Sequence, residues 1–195
     1  MATEADTGFR LTLRDRIVIA AATMTTTHGW AAVTMSKLAD EVGVSRQTVY
    51  NEVGGKSALA EAMILHELSR FLDLVNAAFD DNPEDVVGAI RDASRSVLEF
   101  ATDNRLLHAV VSATHGADTE LLPLLTTHSE SLLGVAKMVV TERVTPYELG
   151  LSGAQLEPAI DMVVRVVLSH VMQPSGPPAD TAEDIAWIAE RLLRN

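Results

Sequence analysis

A chain of 195 residues with 47% hydrophobic and only 4% aromatic residues has room for one large domain, or for a small module joined to a larger body. Its apolar content leans toward helices packed on helices, and the absence of cysteine excludes disulfides, thiolate catalysis and cysteine-ligated zinc. The formal charge of −12 is uneven: residues 1–56 hold six Lys/Arg and six Asp/Glu, whereas residues 57–195 hold nine against 21, so a neutral head precedes an acidic body whose charge would suppress non-specific binding to a polyanion.

Residues 1–9 carry no apolar stretch of the secretory type, so no secretory signal is expected. A first helix is predicted over residues 11–27, where Leu13, Ile17, Ala20, Ala21 and Met24 recur at helical spacing, and His28-Gly29 ends it. Thr34 offers an N-cap for a short helix to residue 41, Gly43 a turn, and Ser45 a cap for a second short helix to residue 52. After Gly54-Gly55 a long amphipathic helix is predicted to residue 79, with Ala62, Leu65, Leu68, Leu72 and Val75 on its buried face.

Residues 80–83 form a loop that places Pro83 in the first turn of a helix running to residue 102. Further helices are predicted over 104–114, 118–144, 154–172 and 181–193, separated by His115-Gly116, by a connector over 145–153 and by the proline-rich loop 174–178. No strand pattern, repeat or low-complexity tract interrupts this series. The longest apolar run, residues 162–172, is broken by Arg165 and His170, so no membrane span is expected and the location reads as cytoplasmic.

The chemistry is concentrated at residues 34–52. Two short helices that cross closely need a small residue at the crossing, a residue tolerant of left-handed backbone between them, apolar inward faces and a cap on the second helix. Ala39, Gly43, the set Leu38, Val42, Val44 and Val49, and Ser45 meet these needs within a dozen positions, which specifies a helix-turn-helix. The second helix is then the recognition helix, entering the major groove by its N-terminal end. Arg46 and Gln47 are placed for base edges, Arg favouring guanine and Gln adenine, and the Thr48 methyl for thymine. Thr34, Ser45, Tyr50 and Asn51 complete the DNA-facing set, and Lys37 and Lys56 can neutralise phosphate. Lys56 also sits at a helix start whose free N–H groups attract anions. Arg14 and Arg16 read as solvated surface side chains.

A capped first helix, this helix-turn-helix, and then Tyr50, Lys56 and Leu59 opening a long helix resemble the TetR family of bacterial regulators over residues 11–60. The family commonly carries Tyr-Tyr-His-Phe, a short link, Lys, and Leu three residues later. Here Asn51, Glu52 and Val53 stand at the second, third and fourth of those positions, and Glu52 brings a carboxylate to the end of the recognition helix. The resemblance implies an all-α protein with a three-helix DNA-binding domain at residues 1–55. A helical ligand-binding and dimerisation domain would follow at 56–195. It further implies a homodimer on a palindromic operator, a repressor, and release of DNA by a small effector that favours another spacing of the recognition helices.

In the body, the helix at 154–172 is apolar nearly all round, which suits a subunit interface or else a monomeric core; with the final helix (Ile185, Trp187, Ile188, Leu192, Leu193) it resembles the family's dimerising helix pair, which implies a homodimer interface over 154–193. Asp161 and Arg165, four residues apart, are placed to pair. An effector site is expected among Phe71, Phe100, Leu107, His108, Val111, Leu132, Met138, Met162 and Arg165, which would suit a lipophilic molecule with at most one polar end. These apolar residues, and Leu133 beside them, read equally as plain core.

The six histidines form no HxxxH pair, and there is no Gly-x-Ser-x-Gly, P-loop or GxGxxG. No cofactor, metal or enzymatic activity is therefore expected. The alternative to a ligand-released regulator is a DNA-binding adaptor controlled by a protein partner, with no small-molecule ligand.

Overall fold

A computed structural model describes residues 11–113 and 129–193, and every regular element among these is helical. The chain divides into two compact units, residues 1–64 and 65–195. The division falls inside the long helix, after a first stretch that buries Leu59, Ala60, Ala62 and Met63.

The first unit holds α1 (Leu13–His28), a single 3-10 turn (Trp30–Ala32), α2 (Met35–Val42), α3 (Arg46–Val53) and the start of α4 (Lys56–Asp81). Helix α1 begins where Thr12 and Asp15 form a reciprocal capping box, a signal the apolar spacing alone does not carry. It packs on the 3-10 turn, α2 and α3. The core contains Ile17, Val18, Ala21, Trp30, Val33, Met35, Leu38, Ala39, Val42, Val49 and Val53. Val44, predicted to point inward with these, is only half-buried.

Arg14 and Arg16 depart from the expectation of solvated side chains. One guanidinium N–H of Arg14 donates to the Glu52 carbonyl, and Arg16 Nη2 donates to the Val42 carbonyl at 2.8 Å. These carbonyls lie in the last turns of α3 and α2, where backbone acceptors lack helical donors and the helix dipole is negative. Two cations on α1 therefore cap the C-terminal ends of both helices of the motif.

The second unit holds the rest of α4, α5 (Val86–Asp103), α6 (Arg105–Ala113), α7 (Ser129–Val144), α8 (Gly153–Met172) and α9 (Pro178–Leu193). The first part of the helix predicted over 118–144 lies outside the described residues. Pro83 is not in the first turn of α5. The Asp85 carboxylate accepts the Gly88 N–H at 2.9 Å and makes Asp85 the N-cap, so the helix starts three residues beyond the proline. Helix α9 starts earlier than expected, with Pro178 as its first residue, a position where its missing N–H costs no hydrogen bond.

Helix α5 packs along α9, and α8 packs against α5, α7 and α9. Small residues make up most of the buried positions of both helices: Gly88, Ala89, Ala93, Ser94 and Ala101 beside Val97 and Leu98 on α5, and Thr181, Ala182, Ala186 and Ala189 beside Ile185 on α9. One apolar cluster joins Phe79 and Ala78 to Ala89, Ala93 and Val144, with Tyr147 packed against it. The Tyr147 hydroxyl donates to the Asn82 carbonyl at 2.7 Å, and Arg143 reaches the Asn76 carbonyl and the Asp80 carboxylate, so the end of α4 is tied to the end of α7. A second cluster joins Ala136, Ile160 and Val164, with Leu72 and Leu133 packed against it, which makes Leu133 core.

Candidate nucleic-acid interface

The motif is held by its ends. Thr34 Oγ1 accepts the Lys37 N–H at 3.2 Å and caps α2. Gly43, at φ 76° and ψ 39°, ends α2 in the left-handed region that favours glycine, and its N–H donates to the Ala39 carbonyl. Two residues later Ser45 Oγ accepts the Thr48 N–H at 3.1 Å and hydrogen-bonds the Thr48 hydroxyl at 2.8 Å, capping α3. An eight-residue helix is marginal by itself, so α3 depends on this cap and on burial of Val49 and Val53 at 0% and 2% exposure.

Burying Val49 and Val53 turns the opposite face of α3 outward. Arg46, Gln47, Tyr50 and Asn51 are exposed, and Thr48 is half-buried. This outward face is organised by two pairs, each spanning one helical turn. The Arg46 guanidinium lies 5.5 Å from the centre of the Tyr50 ring, and Gln47 Nε2 donates to Asn51 Oδ1 at 3.0 Å. Val53, which replaces the family's aromatic residue, packs into the core and offers nothing to DNA.

The lysines are anchored rather than free-swinging. Lys37 Nζ donates to the Ala32 carbonyl at 3.0 Å. Lys56 Nζ lies 5.0 Å from the centre of the Trp30 ring, which is itself only 3% exposed. Trp30 is a residue that sequence reasoning passed over. Its one visible signal was a large aromatic immediately after the helix-ending glycine.

The structure places the expected effector-site residues in several environments. Phe71 and Phe100 meet edge to face at 4.8 Å, with Arg70 lying 4.6 Å from the Phe100 ring centre, and Leu107 is partly buried. The loop at residue 104 is fixed by the buried Asn104, which donates to the Glu67 carboxylate and accepts the Leu107 N–H. His108 is exposed, and its Nε2 hydrogen-bonds the Thr102 carbonyl at 2.9 Å. Leu132 is partly buried, and the Val111 side chain lies outside the described residues.

Met138 and Met162, at 62% and 61% exposure, stand on the outside of the protomer, as does Arg165. Arg165 pairs with Asp161 at 2.7 Å as its spacing predicted. Asp161 also pairs with Lys137 at 2.8 Å, a partner the linear spacing did not reveal. Those two cations, Lys137 first, hold the Asp161 carboxyl below the ordinary carboxylate range.

No helix of the described residues is long and apolar enough to cross a membrane. Residues 17–63 match the model described as bacterial regulatory proteins of the tetR family. Residues 85–191 match the one described as the C-terminal domain of the bacterial tetracycline repressor. The HTH-type transcriptional regulator AlkX of Mycobacterium tuberculosis is 29% identical over 177 residues, spanning 91% of this chain and 83% of that protein. The crystal structure of the TetR family repressor AlkX from a Dietzia strain, implicated in biodegradation of n-alkanes, superposes with a TM-score of 0.74 at 25% identity, covering 95% of this chain and 97% of that one. A TetR-type regulator from Mesorhizobium loti has the same fold, with a TM-score of 0.62 at 18% identity over 92% and 94% of the two chains. With both of its parts matched and an outward-facing recognition helix in place, this chain belongs to the TetR family of helix-turn-helix transcriptional regulators and is not an enzyme.

Proposed function

We propose that the chain acts in the cytoplasm as a homodimeric repressor that binds a palindromic operator and leaves it when a small lipophilic effector binds the helical body. The observation that carries the reading is the Ser45-capped α3, which buries Val49 and Val53 and leaves Arg46, Gln47, Tyr50 and Asn51 free to meet a major groove. The likeness to the Dietzia AlkX, a TetR family repressor implicated in biodegradation of n-alkanes, supports repression and points to hydrocarbon metabolism as the regulated process.

Dimerisation is supported by what α8 and α9 leave uncovered. Met162, Leu168 and Met172 on α8, and Trp187, Ile188 and Leu192 on α9, are all at least 39% exposed. Six large apolar side chains left exposed on two helices that pack together mark an interaction surface. A second copy applying the same two helices makes a closed two-fold assembly with four helices in its core. For the effector, the partly buried Phe71, Phe100, Leu107 and Leu132 remain the proposed contacts, while Met162 and Arg165 belong to the outer face.

The test is a gel shift on DNA flanking the chain's own gene, followed by titration with n-alkanes, fatty acids and acyl compounds. Sub-micromolar, salt-sensitive, sequence-specific binding that is released by one of these is expected. Specific binding that no small molecule releases favours control by a protein partner, and no specific shift defeats the regulator reading.

A further inference from the structure

The hydrogen bond between Gln47 and Asn51 has a consequence for which base the recognition helix reads. A glutamine amide carries two N–H donors and one carbonyl acceptor. Here one Nε2 hydrogen is already committed to Asn51 Oδ1 at 3.0 Å, and both side chains are exposed on the outward face of α3. What remains on Gln47 is one N–H and one carbonyl oxygen, held in one plane. That is the complement of adenine in the major groove, which offers an acceptor at N7 and a donor at N6.

Guanine offers two acceptors, N7 and O6. A free amide can rotate about its last bond and direct its N–H groups toward them. With Nε2 held by Asn51 Oδ1, the carbonyl oxygen would face guanine O6, and presenting both N–H groups there would require the two amides to turn over together. The neighbouring Arg46 does not compete for Asn51, because it lies over the Tyr50 ring.

We propose that Asn51 is a positioning residue for Gln47, and that the coupled amides select an adenine and reject a guanine at one base pair of each half-site. This rests on the DNA-binding reading above and assigns α3 a part of its code. Asn51 acts here through Gln47; it need not touch the base.

The experiment is selection from a duplex library with a randomised central region, using the full-length protein and three variants. A helix-content measurement by circular dichroism confirms that each variant is folded, which the exposure of both residues favours. Wild type is expected to select one strongly preferred adenine per half-site, and Gln47→Ala to relax that position. Asn51→Leu, which has no acceptor, should lower the adenine-to-guanine preference at the same position by about fivefold or more, within the range of one bidentate base contact. Asn51→Asp keeps an acceptor for Gln47 Nε2 and should keep the preference, even as its added charge lowers affinity for every sequence.

The proposal is overturned if Asn51→Leu keeps the wild-type preference, or if it relaxes a different base pair from Gln47→Ala. It is also overturned if Gln47→Ala relaxes nothing or Asn51→Asp loses the preference. A wild-type protein that enriches no sequence overturns the DNA-binding reading as well, and so is distinguishable from failure of the amide pair alone.

Discussion

Replacing Ser45 separates the two things this residue could do. As the N-cap of α3 it supplies the acceptor for the Thr48 N–H at 3.1 Å. Ser45→Ala removes that acceptor and should cost about 1 kcal/mol, the usual value of a lost hydroxyl cap. If the first unit, residues 1–64, melts as its own cooperative block, this lowers its midpoint by about 4–8 °C, and by about 2–4 °C if the whole chain melts together. Ser45→Asp keeps a capping oxygen and adds negative charge at the positive end of the helix, so it should melt at or above wild type. Its carboxylate nevertheless sits where a phosphate would approach. One unit charge about 7 Å from a phosphate in water costs about 0.6 kcal/mol. Two protomers together then weaken operator binding by about eightfold at low salt, and by less as salt screens the charges. Differential scanning fluorimetry and a fluorescence-anisotropy titration read the two effects on the same samples. If Ser45→Ala melts like wild type, α3 is not held by its cap. If Ser45→Asp binds DNA as tightly as wild type, the N-terminus of α3 does not face the phosphates, and the docking argued above is wrong.

Three further outcomes follow from the same geometry. Trp187→Glu, at a residue 57% exposed in the protomer and stacked only by Arg191 at 3.9 Å among the described rings, should leave the fold intact and convert dimer to monomer in sedimentation velocity; a variant that stays dimeric would move the interface away from α9. The Asp161 carboxyl, held low first by Lys137 and then by Arg165, contributes stability in full above its unfolded-state pKa and loses it as pH falls through the lowered folded-state value. Asp161→Asn should therefore flatten the acid side of the melting-temperature-against-pH profile, and an unchanged acid side would mean that the pair contributes nothing. Arg14 and Arg16 donate to carbonyls at the ends of α3 and α2, and Arg46 is assigned to a base edge, so Lys37 and Lys56 are the phosphate contacts expected of the described first unit, although each also has a contact within the protomer, with the Ala32 carbonyl and the Trp30 ring. Four such contacts per dimer predict a slope of log affinity against log salt of about −4; Arg14→Ala should leave that slope unchanged, and a slope shallower by one or two units would return these arginines to the DNA.

Most of the first unit was legible in the sequence because its constraints are local. Thr34, Gly43 and Ser45 act on backbone groups three or four residues away, so their types at those spacings dictate the turn wherever the rest of the chain goes. Arg14 and Arg16 were not legible for the opposite reason. Their partners lie 38 and 26 positions away in the chain, and an exposed arginine that caps a distant carbonyl has the same sequence signature as one that caps nothing. The Lys56–Trp30 stack and the Lys137–Asp161 pair were hidden in the same way. Pro83 is the local exception. Both it and Asp85 are helix-start signals, and the side chain able to accept a backbone N–H set the boundary.

The body resisted reading because apolar periodicity reports that a side chain leaves water, not where it goes. Helix α8 is apolar on nearly all sides, yet only Ile160 and Val164 are buried within the protomer, while Met162, Leu168 and Met172 face outward. Helix α9 divides in the same manner: Ile185 packs inward, whereas Trp187 and Ile188, two and three residues later, point away. Two apolar stripes on one helix, one buried within the protomer and one exposed, are what an element needs when it has one neighbour in its own subunit and another in a second copy. Met162, expected from sequence at the effector site, stands on that outer stripe, and the Phe71–Phe100 pair remains the proposed effector contact. An effector acting at Phe71 and Phe100 would reach the DNA-binding unit along α4, the one helix that carries both Phe71 and the Lys56 phosphate candidate.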